Sequence, residues 1–336
     1  METPPRPLAP GSRLAYDRPM PTVAESGSRP LRLATWHAGE GDHVRITPLY
    51  RSPVVSLGRF WCAPDDVRWD QENFVGDVAH IVFPATPVWI AAGGQDLMLT
   101  GPNHAVFFNS GDAFRRRRFG EHGDRNHFMV LSEATLEEWL QEPRFPQPVG
   151  KLLPRPYLTV RRVARALTEG ADGLAVQERL LAAGYATVCG AFGLAGIDPS
   201  RLQRSAPVVE HAKALLSARY AEHLTLDELG REVNLSPFHL ARAFRRQTGY
   251  TLHEYRTHLR LRVVVERLEH GDEDLAVIAR EVGFSSHSHL TSTFRRAFGV
   301  PPSAIRSRRV PGTAMAAVTF VRSSGRDPFP GLPKPA

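Results

Sequence analysis

Cysteine is nearly absent: the 336 residues hold two, Cys62 and Cys189. Two thiols without metal-ligand spacing cannot build a disulfide framework, so they read as ordinary reduced side chains and the fold must rest on its apolar cores. Long apolar runs are missing too. No stretch approaches the ~18 residues that span a bilayer, and the opening Met1-Glu-Thr-Pro-Pro lacks a basic start followed by an apolar run. These absences set the expectation of a cytoplasmic protein with no membrane partner. Lysine is missing from residues 31–150, where 11 Arg face 15 acidic residues, a net charge of −4. Residues 205–310 hold 16 basic against 12 acidic residues, net +4, so the total of +7 hides two parts of opposite sign. The basic part suits a polyanion through counterion release, and equally suits a plain solvated surface.

With 42% hydrophobic residues the chain can bury real cores, and its length points to two domains. Residues 1–30, rich in Pro, Arg and Ser, read as a disordered arm, and residues 311–336 as a disordered tail. Residues 31–142 break into short apolar runs: Val54 to Leu57, His80 to Phe83, Val88 to Ala92, Asp96 to Thr100, Ala105 to Asn109 and His127 to Leu131. Gly93-Gly94 and Asn109-Ser-Gly-Asp112 punctuate them as hairpin turns, which predicts a β-sandwich or small barrel. Pro143 to Pro156 carries five prolines and reads as a linker. Helix-period apolar positions follow over Tyr157 to Leu167 and Leu174 to Phe192, giving linker and connector helices over 143–204. Those helices either pack on the β domain or form the seam of a homodimer.

Residues 205–310 carry an internal repeat. Leu226-Asp-Glu-Leu-Gly-Arg-Glu-Val-Asn-Leu-Ser236 returns as Leu275-Ala-Val-Ile-Ala-Arg-Glu-Val-Gly-Phe-Ser285, and Leu240-Ala-Arg-Ala-Phe-Arg-Arg-Gln-Thr-Gly249 as Leu290-Thr-Ser-Thr-Phe-Arg-Arg-Ala-Phe-Gly299. Doubling of one supersecondary unit predicts a tandem helix-turn-helix. The offset grows from 49 to 50 inside the repeat, so the second copy has one extra residue at its turn or at the start of its second helix. Thr225-x-x-Glu228 and Thr251-x-x-Glu254 are capping boxes, Ser236-Pro237 is a helix start, and Gly249 and Gly299 stand where left-handed C-caps are wanted.

With Leu240 and Phe244 set toward the core, a 100° step per residue turns Phe238, Arg242 and Arg245 outward, flanked by His239, Ala241 and Arg246. In the second copy Leu290 and Phe294 take the core, and Ser288, Ser292 and Arg295 face out, flanked by His289, Thr291 and Arg296. Such faces are competent to read double-stranded DNA. Arginine bonds both major-groove acceptors of guanine, hydroxyls and imidazoles donate and accept, and an exposed phenylalanine packs on a thymine methyl. Helical hairpins with solvated faces are the bland alternative.

The stretch Gly283-Phe-Ser-Ser-His-Ser-His-Leu-Thr-Ser-Thr-Phe-Arg-Arg-Ala-Phe-Gly-Val-Pro-Pro-Ser303 resembles the signature of AraC/XylS-type transcription regulators, and Asn234 to Gly249 resembles their first unit. The resemblance covers roughly residues 205–310. It implies two helix-turn-helix units joined by a rigid helix, Thr251 to Glu269, that enter two successive major grooves. Base contacts are then expected from Phe238, His239, Ala241 and Arg242, and from His287, Ser288, His289, Thr291 and Ser292, with Ser236, Arg245, Arg246 and Arg295 completing the DNA-binding set. Ser292 departs from the family pattern, in which arginine is frequent there, so the first unit is expected to discriminate more.

Phe107-Phe-Asn-Ser-Gly-Asp-Ala-Phe114 resembles, more loosely, a segment of the cupin-like sensor domains that such regulators often carry. The implied architecture is α+β and multidomain: a cupin-like β-sandwich or barrel over 31–142, a helical connector, and an all-α tandem helix-turn-helix. The implied function is transcription regulation, with a small-molecule effector, RNA polymerase and a second protomer as further partners, and no cofactor. The alternative is a cupin-type, metal-dependent enzyme with a helical appendage. An open metal site needs three or four converging ligands. The sole His-x-His, His287-Ser-His289, lies in the helical repeat, and His80, His104, His122 and His127 are scattered, so no metal and no catalysis are expected. The run Arg115 to Arg118 alternates faces in a strand pattern; it reads as a solvated edge with gatekeeping charge, or as two inward arginines pairing a carboxylate.

Overall fold

The computed structural model describes residues 43–168, 173–193, 207–271 and 273–306. The expected arm over 1–30 and tail over 311–336 lie outside the described residues. The N-terminal part is β-rich and the C-terminal part helical, an α+β chain. Among the described residues ten strands form two antiparallel sheets. The larger holds β1 (Val44–Arg51), β2 (Val55–Cys62), β9 (Asp124–Leu131), β4 (His80–Pro84), β7 (His104–Phe108) and β10 (Val149–Lys151), in that order; the smaller holds β3 (Glu72–Phe74), β8 (Ala113–Arg118), β5 (Val88–Ala92) and β6 (Met98–Thr100).

Side chains alternate across a strand, and the central strands are apolar on both faces. Ile81, Phe83, Ala105, Phe107, Met129 and Leu131 point to one core, while Val82, Val106, Phe108, Phe128 and Val130 point to another between the sheets. This double burial explains why β4, β7 and β9 read as unbroken apolar runs. Gly58 is required by the same packing, because it stands opposite Phe128 and a Cβ there would run into the ring. The outer face of the large sheet is covered by α1 (Glu133–Leu140), α2 (Pro154–Thr168) and α3 (Gly173–Phe192), through Leu136, Trp139, Tyr157, Val160, Leu180 and Val188. Of the two expected roles for the connector helices, packing on the β-rich part is the one observed.

Three expectations are corrected. Pro143 to Pro156 is not a bare linker: Val149–Lys151, between Pro148 and Leu152, pairs with β7 as an edge strand, and Pro154 and Pro156 sit in the first turn of α2, where a missing N–H costs no hydrogen bond. The arginine run is no edge, since β8 lies between β3 and β5. One arginine rather than two turns fully inward: Arg116 is 3% exposed, pairs with Asp124 at 3.0 Å and stacks over Phe60 and Trp69. Helix α1, capped by Ser132, was not foreseen inside a segment read as all-β.

The helical part holds α4 (Pro207–Ala218), α5 (Leu226–Glu232), α6 (Pro237–Thr248), α7 (Leu252–His270), α8 (Leu275–Glu281) and α9 (His287–Phe298). The first half of α7 gives Tyr255 and Leu259 to a core with Leu215, Leu229, Leu240 and Phe244; the second half gives Leu261, Val264 and Leu268 to a core with Ile278, Leu290, Phe294 and Phe298. One helix thus belongs to both helix pairs.

Both pairs are docked on the β-rich part. Leu99 N donates to Glu210 Oε2 at 2.6 Å, Asn103 Nδ2 to Tyr255 O at 2.9 Å, Tyr250 OH to Leu152 O at 2.8 Å and Lys151 Nζ to Gly249 O at 2.9 Å. Leu158 of α2 enters the second core, Arg161 lies between Glu266 and Glu269, and Arg262 stacks 3.8 Å over Tyr157. The joint also leaves Asn103 Oδ1, His104 Nδ1, His258 Nδ1 and Arg262 Nε buried without partners, and Arg262 lines a cavity of about 20 Å³, room for roughly one water.

Candidate nucleic-acid interface

Two short turns set the exposed faces of α6 and α9. Each first helix ends at a valine whose amide bonds back into the helix, Val233 in one pair and Val282 in the other. The chain then passes through a left-handed residue, Asn234 at φ 56° and Gly283 at φ 86°. Leu235 N returns to Gly230 O at 2.9 Å and Phe284 N to Ala279 O at 2.8 Å, so the two turns share one hydrogen-bond pattern. Glycine is needed at 283 because a Cβ there would meet Ala221 O and the Arg260 guanidinium. From this point the copies differ. Ser236 follows Leu235 directly as the N-cap of α6, whereas Ser285 intervenes before the N-cap Ser286 of α9. The extra residue is therefore in the turn. Both helices end on left-handed glycines, Gly249 and Gly299, as expected.

Leu240 and Phe244, like Leu290 and Phe294, are fully buried, which fixes the rotation of both helices. Ser236, Phe238, His239, Arg242, Arg245 and Arg246 are then exposed on one face, with Phe238 at 69%. His287, Ser288, His289, Ser292, Arg295 and Arg296 are exposed on the other. Two nominated positions are not free: Ala241 is half-buried against the first core, and Thr291 is half-buried with its Oγ1 enclosed and unpartnered. Ser292 is exposed, but its hydroxyl donates to His289 O at 3.1 Å and so is held on its own helix. Docking on the β-rich part meets the ends of these helices at Gly249 and Gly299 and packs Leu158 against the core side of α9, while the outward side chains named above stay exposed.

Two exposed cations were not nominated: Arg231 and Arg280, in the last turns of α5 and α8. Their neighbours Glu232 and Glu281 are held by Arg219 at 2.6 Å and Arg267 at 2.7 Å, so the local acids are engaged elsewhere. The repeated Arg-Glu-Val triplet in the sequence carried that signal. Each face is thus a helix presenting arginines, imidazoles and hydroxyls, flanked by a further arginine from the preceding helix. That chemistry suits phosphate and base-edge acceptors.

A family model described as a helix-turn-helix domain matches residues 229–308, from within α5 through α9. Multiple antibiotic resistance protein MarA of Escherichia coli (strain K12) is 30% identical over 89 residues, 26% of this chain and 70% of MarA. The HTH-type transcriptional activator RhaS of Escherichia coli (strain SE11) is 32% identical over 108 residues, 32% of this chain and 39% of RhaS. Among solved structures the chain is similar to a transcriptional regulator of the AraC-type DNA-binding domain-containing proteins from Chromobacterium violaceum, at 31% identity and TM-score 0.30, over 32% of this chain and 96% of that one. On the residues of its doubled helix pairs and on these matches, the chain belongs to the AraC/XylS-type family of DNA-binding transcription regulators.

Proposed function

We propose that this regulator reads DNA with two helix-turn-helix units in tandem, α6 and α9 entering two successive major grooves on one face of the duplex. The observation that carries the reading is the repetition of one exposed face on two helices that share α7 as a common strut. The two faces are unequal: the first offers Phe238 and Arg242, the second Ser288 and Ser292 at matching positions. The site they read is therefore asymmetric, and binding weakens steeply with salt. Footprinting of the full-length protein on a selected site should show protection of two major grooves about one helical turn, roughly 10 base pairs, apart. Protection of a single groove per protomer would refute the tandem reading.

The β-rich part, on this proposal, is a cupin-like barrel that answers to a small organic effector and passes its state to the helices through α2 and the β6–β7 loop. The support is their contact with both helix pairs at once. To regulate, the effector must bind the DNA-competent and incompetent states unequally. The space between the sheets is filled by Phe60, Phe108, Phe114, Phe128 and the Arg116–Asp124 pair. That filling favours a second reading, in which the β-rich part is a ligand-free brace. Measuring DNA affinity of the full-length protein across a metabolite panel separates the two: one compound that changes affinity supports the sensor, and none supports the brace. A homodimer on this proposal would use the outer faces that α2 and α3 keep exposed, such as Arg162, Glu178 and Arg179, and RNA polymerase is the partner that activation at a promoter would require. A metal-dependent enzyme has less support, because among the described residues no three His, Cys, Asp or Glu side chains stand together.

A further inference from the structure

The first turns of α6 and α9 each hold a histidine ring by a serine hydroxyl and an aromatic edge. In α6 the imidazole of His239 is bonded through Nδ1 to Ser236 Oγ at 2.7 Å, and the Phe238 ring stands edge-on to it with centroids 5.7 Å apart. In α9 the imidazole of His289 is bonded through Nδ1 to Ser285 Oγ at 2.9 Å, with the Phe284 ring edge-on at 5.3 Å. The two histidines occupy equivalent positions of the repeat, both exposed. Their serines are not equivalent. Ser236 both caps α6, accepting His239 N at 3.4 Å, and holds the ring; in the second unit Ser286 caps, accepting His289 N at 3.1 Å, and the inserted Ser285 holds the ring. The extra residue of the second copy supplies the ring-holding hydroxyl.

A serine hydroxyl whose oxygen already accepts a backbone amide, as Ser236 does, has its hydrogen left to donate, and the same direction is taken for Ser285, whose Oγ stands in the same relation to His289 Nδ1. Donated to Nδ1, it makes that nitrogen an acceptor and places the imidazole proton on Nε2, since the bond made by one ring nitrogen sets the state of the other. Nε2–H is then a single, oriented donor on the outer face of the helix, in a ring held from two sides. Among major-groove edges, a lone donor matches the N7 acceptor of a purine, or O6 of guanine.

We infer that His239 and His289 are the matched specificity-determining donors of the two units, each reading a purine N7 through a serine-held ring. The inference rests on the proposed DNA reading and adds which groups discriminate and which atom they recognise.

The second unit allows the cleaner test, because there the cap and the ring-holding serine are separate residues. A site is first selected with the full-length protein, and affinities are then measured for wild type, His289→Leu, His289→Gln and Ser285→Ala, on that site and on copies carrying 7-deazapurine at each purine in turn. His289→Leu should weaken binding to the selected site about 10-fold and flatten the preference at one purine. His289→Gln, whose amide nitrogen reaches the place of Nε2, should keep affinity within about 3-fold, and Ser285→Ala should fall between them because the donor remains but swings. At that one purine the 7-deaza base should cost wild type about 10-fold and His289→Leu nothing. If no 7-deaza position distinguishes the two proteins, or if His289→Leu weakens all sequences alike, the inference is overturned while the tandem reading stands. If wild type selects no sequence at all, both fail together.

Discussion

Replacing Arg161 by Met tests whether the two parts of the chain are joined in solution as they are here. Arg161 is 8% exposed, and its guanidinium lies 3.4 Å from Glu266, against Glu269, and 3.2 Å from the Tyr157 hydroxyl to which it donates. Removing one partner of a buried ion pair costs about 3–5 kcal/mol, because the remaining charge stays desolvated. Two features lower that figure. Glu266 keeps Arg125 at 3.4 Å, and the two carboxylates are 12% and 13% exposed, so some hydration is regained. We expect about 2–4 kcal/mol from urea unfolding of the full-length protein, with the far-ultraviolet signal resolving into two transitions as the helical part comes free. The cost is bounded by the docking free energy itself, since an opened joint hydrates both carboxylates. Adding Glu269→Leu to Arg161→Met should recover about half of the loss, because an apolar pair replaces a charged one. A loss below about 0.5 kcal/mol with a single unchanged transition would mean that the joint bears no stability, and the reasoning would be refuted.

Arg242→Ala should weaken specific DNA binding by about 1–3 kcal/mol and relax the preference at one base pair; a loss uniform over all sequences would make it a phosphate contact instead. Ser292→Ala should change less than about 0.5 kcal/mol in the same assay, because that hydroxyl is held by His289 O and offers the groove little. Gly283→Asn should destabilise by about 2–4 kcal/mol in urea titration although asparagine holds the equivalent position 234, since the side chain would displace Arg260 from Tyr220 O and Glu222 O; near-equality with wild type would deny that contact. Burial pushes His80 down to about 4 and holds His104 well below the ordinary imidazole range, so the folded state keeps both neutral while the unfolded chain protonates near 6.5. Their contribution is complete above about pH 6.5 and is lost as pH falls toward 4; the urea midpoint should drop over that window and drop less in His104→Gln.

The repeat made the helical part legible from sequence alone. Five helix signals in register marked the starts of α5, α6 and α7 and the ends of α6 and α9, because capping chemistry is local and depends on little beyond three or four neighbours. The extra residue of the second copy was visible as an offset, yet its location in the turn, and the use of Ser285 to hold His289, needed coordinates. The half-burial of Ala241 and Thr291 was not legible for a simple reason: a 100° step ranks directions and does not say how wide a flank the neighbouring helix covers. The β-rich part was read less well. Strands buried on both faces announced themselves as apolar runs, but β1 and β3, with mixed burial, gave no run, and β10 is three residues among prolines. Arg116 was obscured by its neighbours: four consecutive arginines look like surface, and only the pairing partner Asp124 on β9 shows which one is inside.

The joint itself left no sequence signal, because it is made by residues as far apart as Leu99 and Glu210 or Arg165 and Ile305. Its geometry nonetheless gives the chain one mechanical property. Lys151 reaches the carbonyl of Gly249 at the end of α6, and Arg155 lies beside Gly299 at the end of α9. Both are cations at the negative ends of helix dipoles, and they come from one stretch of five residues that closes strand β10 and opens α2. That stretch is anchored on both sides, by the pairing of β10 with β7 and by the burial of Tyr157 and Val160 in the core under the large sheet. The ends of both DNA-facing helices therefore share one support on the β-rich part. A shift of the large sheet against α2 would move that support under both units together, whereas the small sheet meets the first unit through the bond of Leu99 to Glu210 on α4, a helix of that unit's core.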